Sequence, residues 1–173
     1  MQKYVLFDRD GTLIKHVHHL HKISQIEWTP NIFKALKKIA EKDYLLGIIT
    51  NQSIIGRGIS TIDEVRKVND FIAHSFNIKS KVKFEFIKVC PHIPNENCRC
   101  RKPEIGLLES EMQSGTINFP ESYFVGDSES DVNFAQRLGL KSILYRSEYS
   151  EDLENLKPDY IISNMLYLDD IIT

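Results

Sequence analysis

The sequence predicts an α/β fold of the Rossmann-like kind, a parallel sheet with helices on both faces. Three observations predict it. Short apolar runs rich in β-branched and aromatic residues alternate with segments whose apolar residues recur at helical spacing. The runs read as strands buried on both faces, as parallel sheets require. Three of them end in polar, chemically useful residues, and sheets of this kind bind ligands beyond the carboxyl ends of their strands.

Each element has its own signal. Lys3–Phe7 is an apolar run stopped by Asp8-Arg9-Asp10-Gly11. Thr29-Pro30 reads as an N-cap with Pro in the first helical position. Ile32, Phe33, Leu36, Ile39 and Ala40 then form one face, with Lys34, Lys37, Lys38 and Glu41 on the other. Tyr44–Thr50 is a second strand ending at Thr50-Asn51-Gln52. A helix follows from Thr61 to about Phe76, its face marked by Ile62, Val65, Val68, Phe71 and Ile72. Phe84–Val89 is a third strand, and Glu104–Met112 reads as helical despite Gly106. Ser122–Val125 is a strand delivering Gly126-Asp127. Val132, Ala135 and Leu138 mark a helix closed by Gly139. Lys141–Tyr145 and Asp159–Ile162 are two more strands, and Asn164–Ile172 a last helix. No repeat, low-complexity tract or linker interrupts the pattern.

At 173 residues, 42% hydrophobic and 27% charged, the chain suits one domain over residues 1–173. A chain of this size buries about 70% of the surface its unfolded form exposes. The composition excludes a disordered or collagen-like chain. Lys and Arg number 22 against 24 Asp and Glu, a net charge of −2, which gives no reason to expect nucleic acid or an anionic membrane as partner. No apolar run approaches the ~18 residues of a membrane span. The N-terminus reaches Asp8 too soon for a signal peptide. A soluble, cytoplasmic monomer acting on a small molecule is the expectation.

Asp8 and Asp10 lie two apart at a strand end, so period-2 geometry sends both side chains to one side if the strand persists that far. Adjacent carboxylates repel and need a shared proton or a cation. Mg²⁺ is the natural partner for such oxygens and commonly recruits a phosphate. Asp127, after Gly126 at another strand end, completes a candidate site, and Asp131 adds an acid in the same loop. Alone, an Asp-x-Asp-Gly turn more often just caps a strand. A lone Lys before Pro is usually a solvated surface residue.

The full set changes that reading. Phe7-Asp8-Arg9-Asp10-Gly11-Thr12-Leu13, Ile49-Thr50-Asn51-Gln52-Ser53, Arg101-Lys102-Pro103 and Val125-Gly126-Asp127 with Asp131 resemble, in order and spacing, the four motifs of the haloacid dehalogenase-like phosphatases. The resemblance covers roughly residues 3–145. It implies that Asp8 is the nucleophile that forms an aspartyl-phosphate, covalent chemistry that carboxylates support. Asp10 would serve as general acid, then base. Asp8, the Asp10 backbone carbonyl and Asp127 would hold Mg²⁺. Thr50 and Lys102 would bind the phosphoryl oxygens. Asp131 would orient its loop rather than touch the ion. Arg9 either ion-pairs at the surface or contacts substrate.

All three cysteines, Cys90, Cys98 and Cys100, fall within eleven residues together with His92. An odd, clustered set is not a disulfide framework. Three thiolates and an imidazole with no further ligand match a closed, tetrahedral, structural Zn²⁺ site. The pattern Cys-x-His, then Cys-x-Cys, before Arg-Lys-Pro is similar to that of the zinc-containing branch of the superfamily, which holds D,D-heptose 1,7-bisphosphate phosphatases and histidinol-phosphate phosphatases. Coordination would fix a loop with little hydrophobic material so that Arg101 and Lys102 both face the phosphate.

No stretch between the motifs is long enough for a large cap domain, so specificity falls to short loops. Lys15–Ser24 holds His16, His18, His19 and His21. It is an exposed connector, a substrate-contacting loop, or a second metal site, the last with no acid or thiol nearby to help. By resemblance to the heptose enzymes, His16 and His19 are substrate candidates, beside Asn51, Gln52, Ser53 and Arg101. Thr50-Asn51-Gln52-Ser53 followed by Gly56-Arg57-Gly58 resembles the heptose enzymes. The short cysteine loop resembles the histidinol-phosphate enzymes. The sequence therefore favours a Mg²⁺-dependent phosphatase acting on D-glycero-D-manno-heptose 1,7-bisphosphate. Histidinol phosphate and a non-catalytic zinc-stapled module are the alternatives, and a polynucleotide end-phosphatase is disfavoured by the balanced charge.

Overall fold

The computed structural model describes residues 1–147 and 156–173. It contains strands β1 (Tyr4–Phe7), β2 (Leu45–Asn51), β3 (Phe86–Cys90), β4 (Tyr123–Gly126), β5 (Lys141–Tyr145) and β6 (Tyr160–Ile162). The helices are α1 (Ile32–Ala40), α2 (Ser53–Gly56), α3 (Ile62–Ser80), α4 (Glu109–Ser114), α5 (Glu129–Leu138) and α6 (Leu168–Ile171). Every strand pair is parallel, in the order β3-β2-β1-β4-β5-β6. The chain winds from β1 outward through β2 and β3, then returns to β4 on the other side of β1. The strand order thus reverses between β1 and β4, where sheets of this class open a crevice for ligands.

Alternation along β1 builds two cores. Val5 and Phe7 face α1, α3 and α6 with Leu36, Ile72, Phe76 and Leu168. Tyr4 and Leu6 face α5 with Phe124, Phe134 and Leu138. Helices on both faces keep all four residues of β1 buried, which matches the predicted fold class.

Three boundaries differ from expectation, each for a local reason. Thr29 does not cap α1. Its N–H donates to Leu13 O at 3.3 Å, which keeps it extended, and the helix starts after Asn31 at φ 65°. The Glu104–Met112 segment divides into a 3-10 turn, Gly106–Leu108, and the short α4. Gly106 N–H donates to Arg99 O at 2.8 Å, tying this turn to the cysteine loop. The last helix likewise divides into a 3-10 turn, Met165–Tyr167, and α6, opened by Asn164 accepting from Leu166 N–H. By contrast, α3 begins as predicted, with Thr61 and Glu64 forming a capping box. No helix among the described residues is long and apolar enough to cross a membrane.

Candidate active site

Asp8 follows β1 directly, and its N–H donates to Val125 O at 2.9 Å, which docks it against β4. Gly11 then turns the chain at φ +81°. A Cβ there would collide with Asp127 Oδ2, so glycine serves both the turn and the approach of Asp127. Oxygens of Asp8, Asp127 and Asp131 lie within 4.8 Å of one another. Lys102, 3% exposed, places Nζ 2.6 Å from Asp8 Oδ1, 2.6 Å from Asp131 Oδ1 and 2.9 Å from Ile49 O.

Three carboxylates around one ammonium are short of positive charge, which favours the protonated form of Asp8 and Asp127. Burial, then Asp131 and Asp10 against Lys102, leaves Asp8 raised to about 7. Burial, Asp8 and Asp131 push Asp127 up to about 8. Burial alone would lower Lys102, but Asp131 and Asp8 outweigh it and hold the ammonium above its usual value. A hard divalent cation fits this donor set, since it supplies the missing charge to oxygen ligands. Asp131 is otherwise engaged. Its Oδ2 accepts from Asp127 N–H, Ser128 N–H and Ser128 Oγ at 3.2, 3.2 and 2.6 Å, which caps α5 and fixes the loop bearing Asp127.

The Asp10 carboxylate stands outside that oxygen group. Arg9 Nε donates to its Oδ2 at 3.0 Å and Arg9 Nη2 to its Oδ1 at 3.1 Å. Gln52 Nε2 donates to Asp10 Oδ2 at 2.6 Å and to Thr50 Oγ1 at 2.8 Å. Arg9 is not at the surface: it is 1% exposed, its Nη2 also bonding Gln52 Oε1 and its Nη1 bonding Asn69 Oδ1, both at 2.8 Å. A buried guanidinium spent on three neighbours acts as a brace for Asp10 and Gln52. Asn69 sits on α3 outside every motif, so no sequence signal marks its role.

Asn51 has a similar inward role. Its Oδ1 accepts from Lys102 N–H at 3.1 Å and its Nδ2 donates to Lys102 O at 3.2 Å, so both ends of the amide grip one backbone residue. His16, His19 and Ser53 line one cavity together with Arg9, Asp10, Asn51 and Gln52. Arg101 does not reach it. Arg101 and Lys102 both line a separate cavity by the cysteine loop, where Arg101 Nη1 donates to His92 O at 3.3 Å, while Lys102 Nζ meets Asp8 and Asp131.

Cys90, His92, Cys98 and Cys100 converge as predicted, with ligand atoms within 4.8 Å of one another. The Sγ–Sγ distances are 3.6, 3.2 and 3.6 Å. His92 Nδ1 lies 3.6 Å from Cys90 Sγ and 3.2 Å from Cys100 Sγ. A tetrahedral ion with sulfurs at ~2.3 Å would set them about 3.8 Å apart, so the cluster needs little expansion to enclose one. Burial pushes the Cys90 thiol up to about 12. Burial raises Cys98 too, but the N–H groups of Cys100 and Arg101 bring it below its usual value.

The family model described as polynucleotide kinase 3 phosphatase matches residues 3–142. The chain belongs to this family of haloacid dehalogenase-like phosphatases. A curated relative, the D-glycero-beta-D-manno-heptose-1,7-bisphosphate 7-phosphatase of Haemophilus ducreyi, is 31% identical over 172 residues, covering 95% of this chain and 94% of the relative. The histidine biosynthesis bifunctional protein HisB of Blochmanniella floridana is 30% identical over 146 residues; the match covers 83% of this chain but 41% of HisB. Among solved structures, the D,D-heptose 1.7-bisphosphate phosphatase of B. bronchiseptica, complexed with magnesium and phosphate, superposes with a TM-score of 0.85 at 19% identity, covering 99% of this chain and 98% of that one. This phosphatase fold explains why three strand ends supply one charged centre.

Proposed function

We propose that this phosphatase hydrolyses D-glycero-D-manno-heptose 1,7-bisphosphate at the 7-phosphate through an aspartyl-phosphate on Asp8. The observation that carries the reading is the convergence of Asp8 and Asp127, just after β1 and β4, with the buried ammonium of Lys102. The substrate is suggested by the heptose-named relative, which aligns over nearly its whole length.

In this mechanism the Asp8 carboxylate attacks phosphorus while the bond from phosphorus to the leaving oxygen breaks. Asp10 gives that oxygen a proton. Asp10 then takes a proton from water, which attacks the phosphoryl group and frees Asp8. Lys102 and Thr50 hold the phosphoryl oxygens in a buried setting, where fixed charges act most strongly. Mg²⁺, held by Asp8, Asp127 and the Asp10 carbonyl, supplies positive charge to the same oxygens when bound. Asn51 keeps Lys102 in place. Zn²⁺ is the ion we assign to the four-ligand cluster, in a structural role, because the cluster leaves no open position.

Histidinol phosphate is the second reading, favoured by the HisB match and the short cysteine loop. A polynucleotide end would need a basic groove for its backbone, and a net charge of −2 speaks against one. Steady-state kinetics with the heptose bisphosphate, histidinol phosphate and a 3′-phosphorylated oligonucleotide separate these. The bisphosphate is expected to give the highest kcat/KM, with Asp8→Asn inactive on all three. Phosphate release by Asp8→Asn at the wild-type rate would remove Asp8 as nucleophile. No release by the wild type would leave the non-catalytic module.

A further inference from the structure

Gln52 follows β2 as the N-cap of α2, with its N–H donating to Cys90 O at 2.7 Å. Its side chain is buried, and its amide meets three partners. An amide has one accepting and one donating end and nearly the same shape either way round. Arg9 decides which way it lies. A guanidinium only donates, so Oε1 must be the end that takes Arg9 Nη2 at 2.8 Å. Nε2 is thereby turned to Asp10 Oδ2 at 2.6 Å and to Thr50 Oγ1 at 2.8 Å. Arg9 is itself held from α3, where Asn69 Oδ1 accepts from Nη1 at 2.8 Å.

That orientation has consequences for three hydrogens. Both hydrogens of the amide are spent, one on each acceptor, so Gln52 keeps none to offer a substrate. Thr50 Oγ1 accepts one of them, and a hydroxyl has a single hydrogen of its own to donate. No acceptor for it stands among the described residues, which leaves it free for a phosphoryl oxygen. The two oxygens of Asp10 are unequal. Oδ2 receives Arg9 Nε at 3.0 Å as well as Gln52 Nε2, while Oδ1 receives only Arg9 Nη2 at 3.1 Å. Oδ1 is therefore the oxygen with room for a proton, and Asp10 is partly exposed to the cavity it lines.

We propose that Gln52 is a positioning residue for phosphoryl transfer, a single amide that sets the acid Asp10 and the hydroxyl of Thr50 in register with each other. The inference rests on the phosphatase reading above, but on no choice between its substrates. Gln52 itself exchanges no proton. As Asp8 bonds to phosphorus and the bond to the leaving oxygen breaks, the proton on Asp10 Oδ1 passes to that oxygen, while Oδ2 stays fixed by Gln52 and Arg9.

Leaving groups separate this role from a merely structural one. The alkoxide leaving a sugar or histidinol phosphate needs the proton of Asp10, whereas the phenolate of 4-nitrophenyl phosphate departs without it. Gln52→Met has similar length and no hydrogen to donate. It should lower kcat/KM for the better of the heptose bisphosphate and histidinol phosphate at least about tenfold more than for 4-nitrophenyl phosphate. Both rates are read on one sample, so a partly unfolded variant lowers them alike. Gln52→Glu keeps an acceptor for Arg9 but has no amide hydrogens, and should show the same bias. Equal losses on the two substrates, or wild-type rates, in either variant overturn the inference. A second measurement needs no turnover. In protein with ¹⁵N-labelled glutamine, Asp10→Ala should shift chiefly one side-chain amide proton of Gln52, and Thr50→Val chiefly the other. A pair that ignores either substitution overturns the inference even if the wild type is an active phosphatase. A pair that answers both in a protein without phosphatase activity upholds the link between Asp10 and Thr50 and defeats the phosphatase reading alone.

Discussion

Raising the pH of Mg²⁺-free protein should destabilise it, and Mg²⁺ should reverse the loss. Asp8 stands at about 7 and Asp127 at about 8, against an ordinary value of 3.8. Below the ordinary value both folded and unfolded chains hold these protons, so pH has no leverage. Above it the unfolded chain releases a proton that the folded chain keeps, and the folded state loses about 1.4 kcal/mol per pH unit for each such group. The loss is complete once pH passes the folded value. Between about pH 5 and pH 7, Asp8 alone contributes about 3 kcal/mol. Asp127 extends the loss toward pH 8, though its coupling to Asp8 forbids simple addition. For a chain of this length, about 3 kcal/mol is a fall of about 6–12 °C in Tm. On the proposed site Mg²⁺ would bind the ionised pair, so it should stabilise most where the pH has cost most. Thermal melts at about pH 5 and about pH 8, without Mg²⁺ and with it at millimolar concentration, in buffer free of thiol-selective chelators, measure both effects. Asp127→Asn should flatten much of the dependence. A Mg²⁺-free Tm that is equal at both pH values, or a Mg²⁺ shift no larger at the higher one, refutes the reasoning.

Asn69→Leu strands a buried guanidinium donor and should cost about 1–3 kcal/mol in a denaturant titration. Because Arg9 braces Asp10, kcat should fall about tenfold while KM stays near the wild-type value; an unchanged kcat would make Asn69 purely structural. Gly11→Ala forces φ +81° on a side chain and drives its Cβ into Asp127, so Mg²⁺ affinity, read by titration of activity, should fall at least about tenfold. Removing the cluster metal with a thiol-selective chelator should open the Cys90–Lys102 segment to protease and abolish turnover even with Mg²⁺ in excess. Unchanged cleavage kinetics there would count against a structural ion.

What was legible in the sequence is what periodicity and short motifs encode. The strand runs and the polar residues at their ends place Asp8, Thr50 and Asp127 before any coordinates, and four soft ligands in eleven residues announce their own convergence. What was hidden depends on partners far away along the chain. Arg9 reads as a surface ion pair or a substrate contact because nothing local says that Asn69, 60 residues on, accepts its proton. Asn51 sits inside a recognised motif, yet the motif is silent on where its amide points, which is the backbone of Lys102. Helix boundaries failed where a tertiary hydrogen bond overrode a local signal, as Leu13 O did at Thr29 and Arg99 O at Gly106. Nothing local in Arg101-Lys102 tells that the guanidinium meets His92 O while the neighbouring ammonium meets Asp8 and Asp131.

Lys102 shows how the two halves of the site depend on each other. From 90 to 102, the buried residues are Cys90 and Lys102, so this loop drives a lysine into the interior without hydrophobic packing of its own. Burying an ammonium is costly unless it is paired, and Asp8, Asp131 and Ile49 O supply that pairing only if Nζ arrives in register. Two fasteners set the register. The cysteine cluster ends two residues upstream, and the Asn51 amide holds both backbone polar groups of Lys102 itself. Their contributions to turnover are therefore not independent: once one is lost, losing the other should cost less than it does in the intact protein, as is usual for groups that act as one unit.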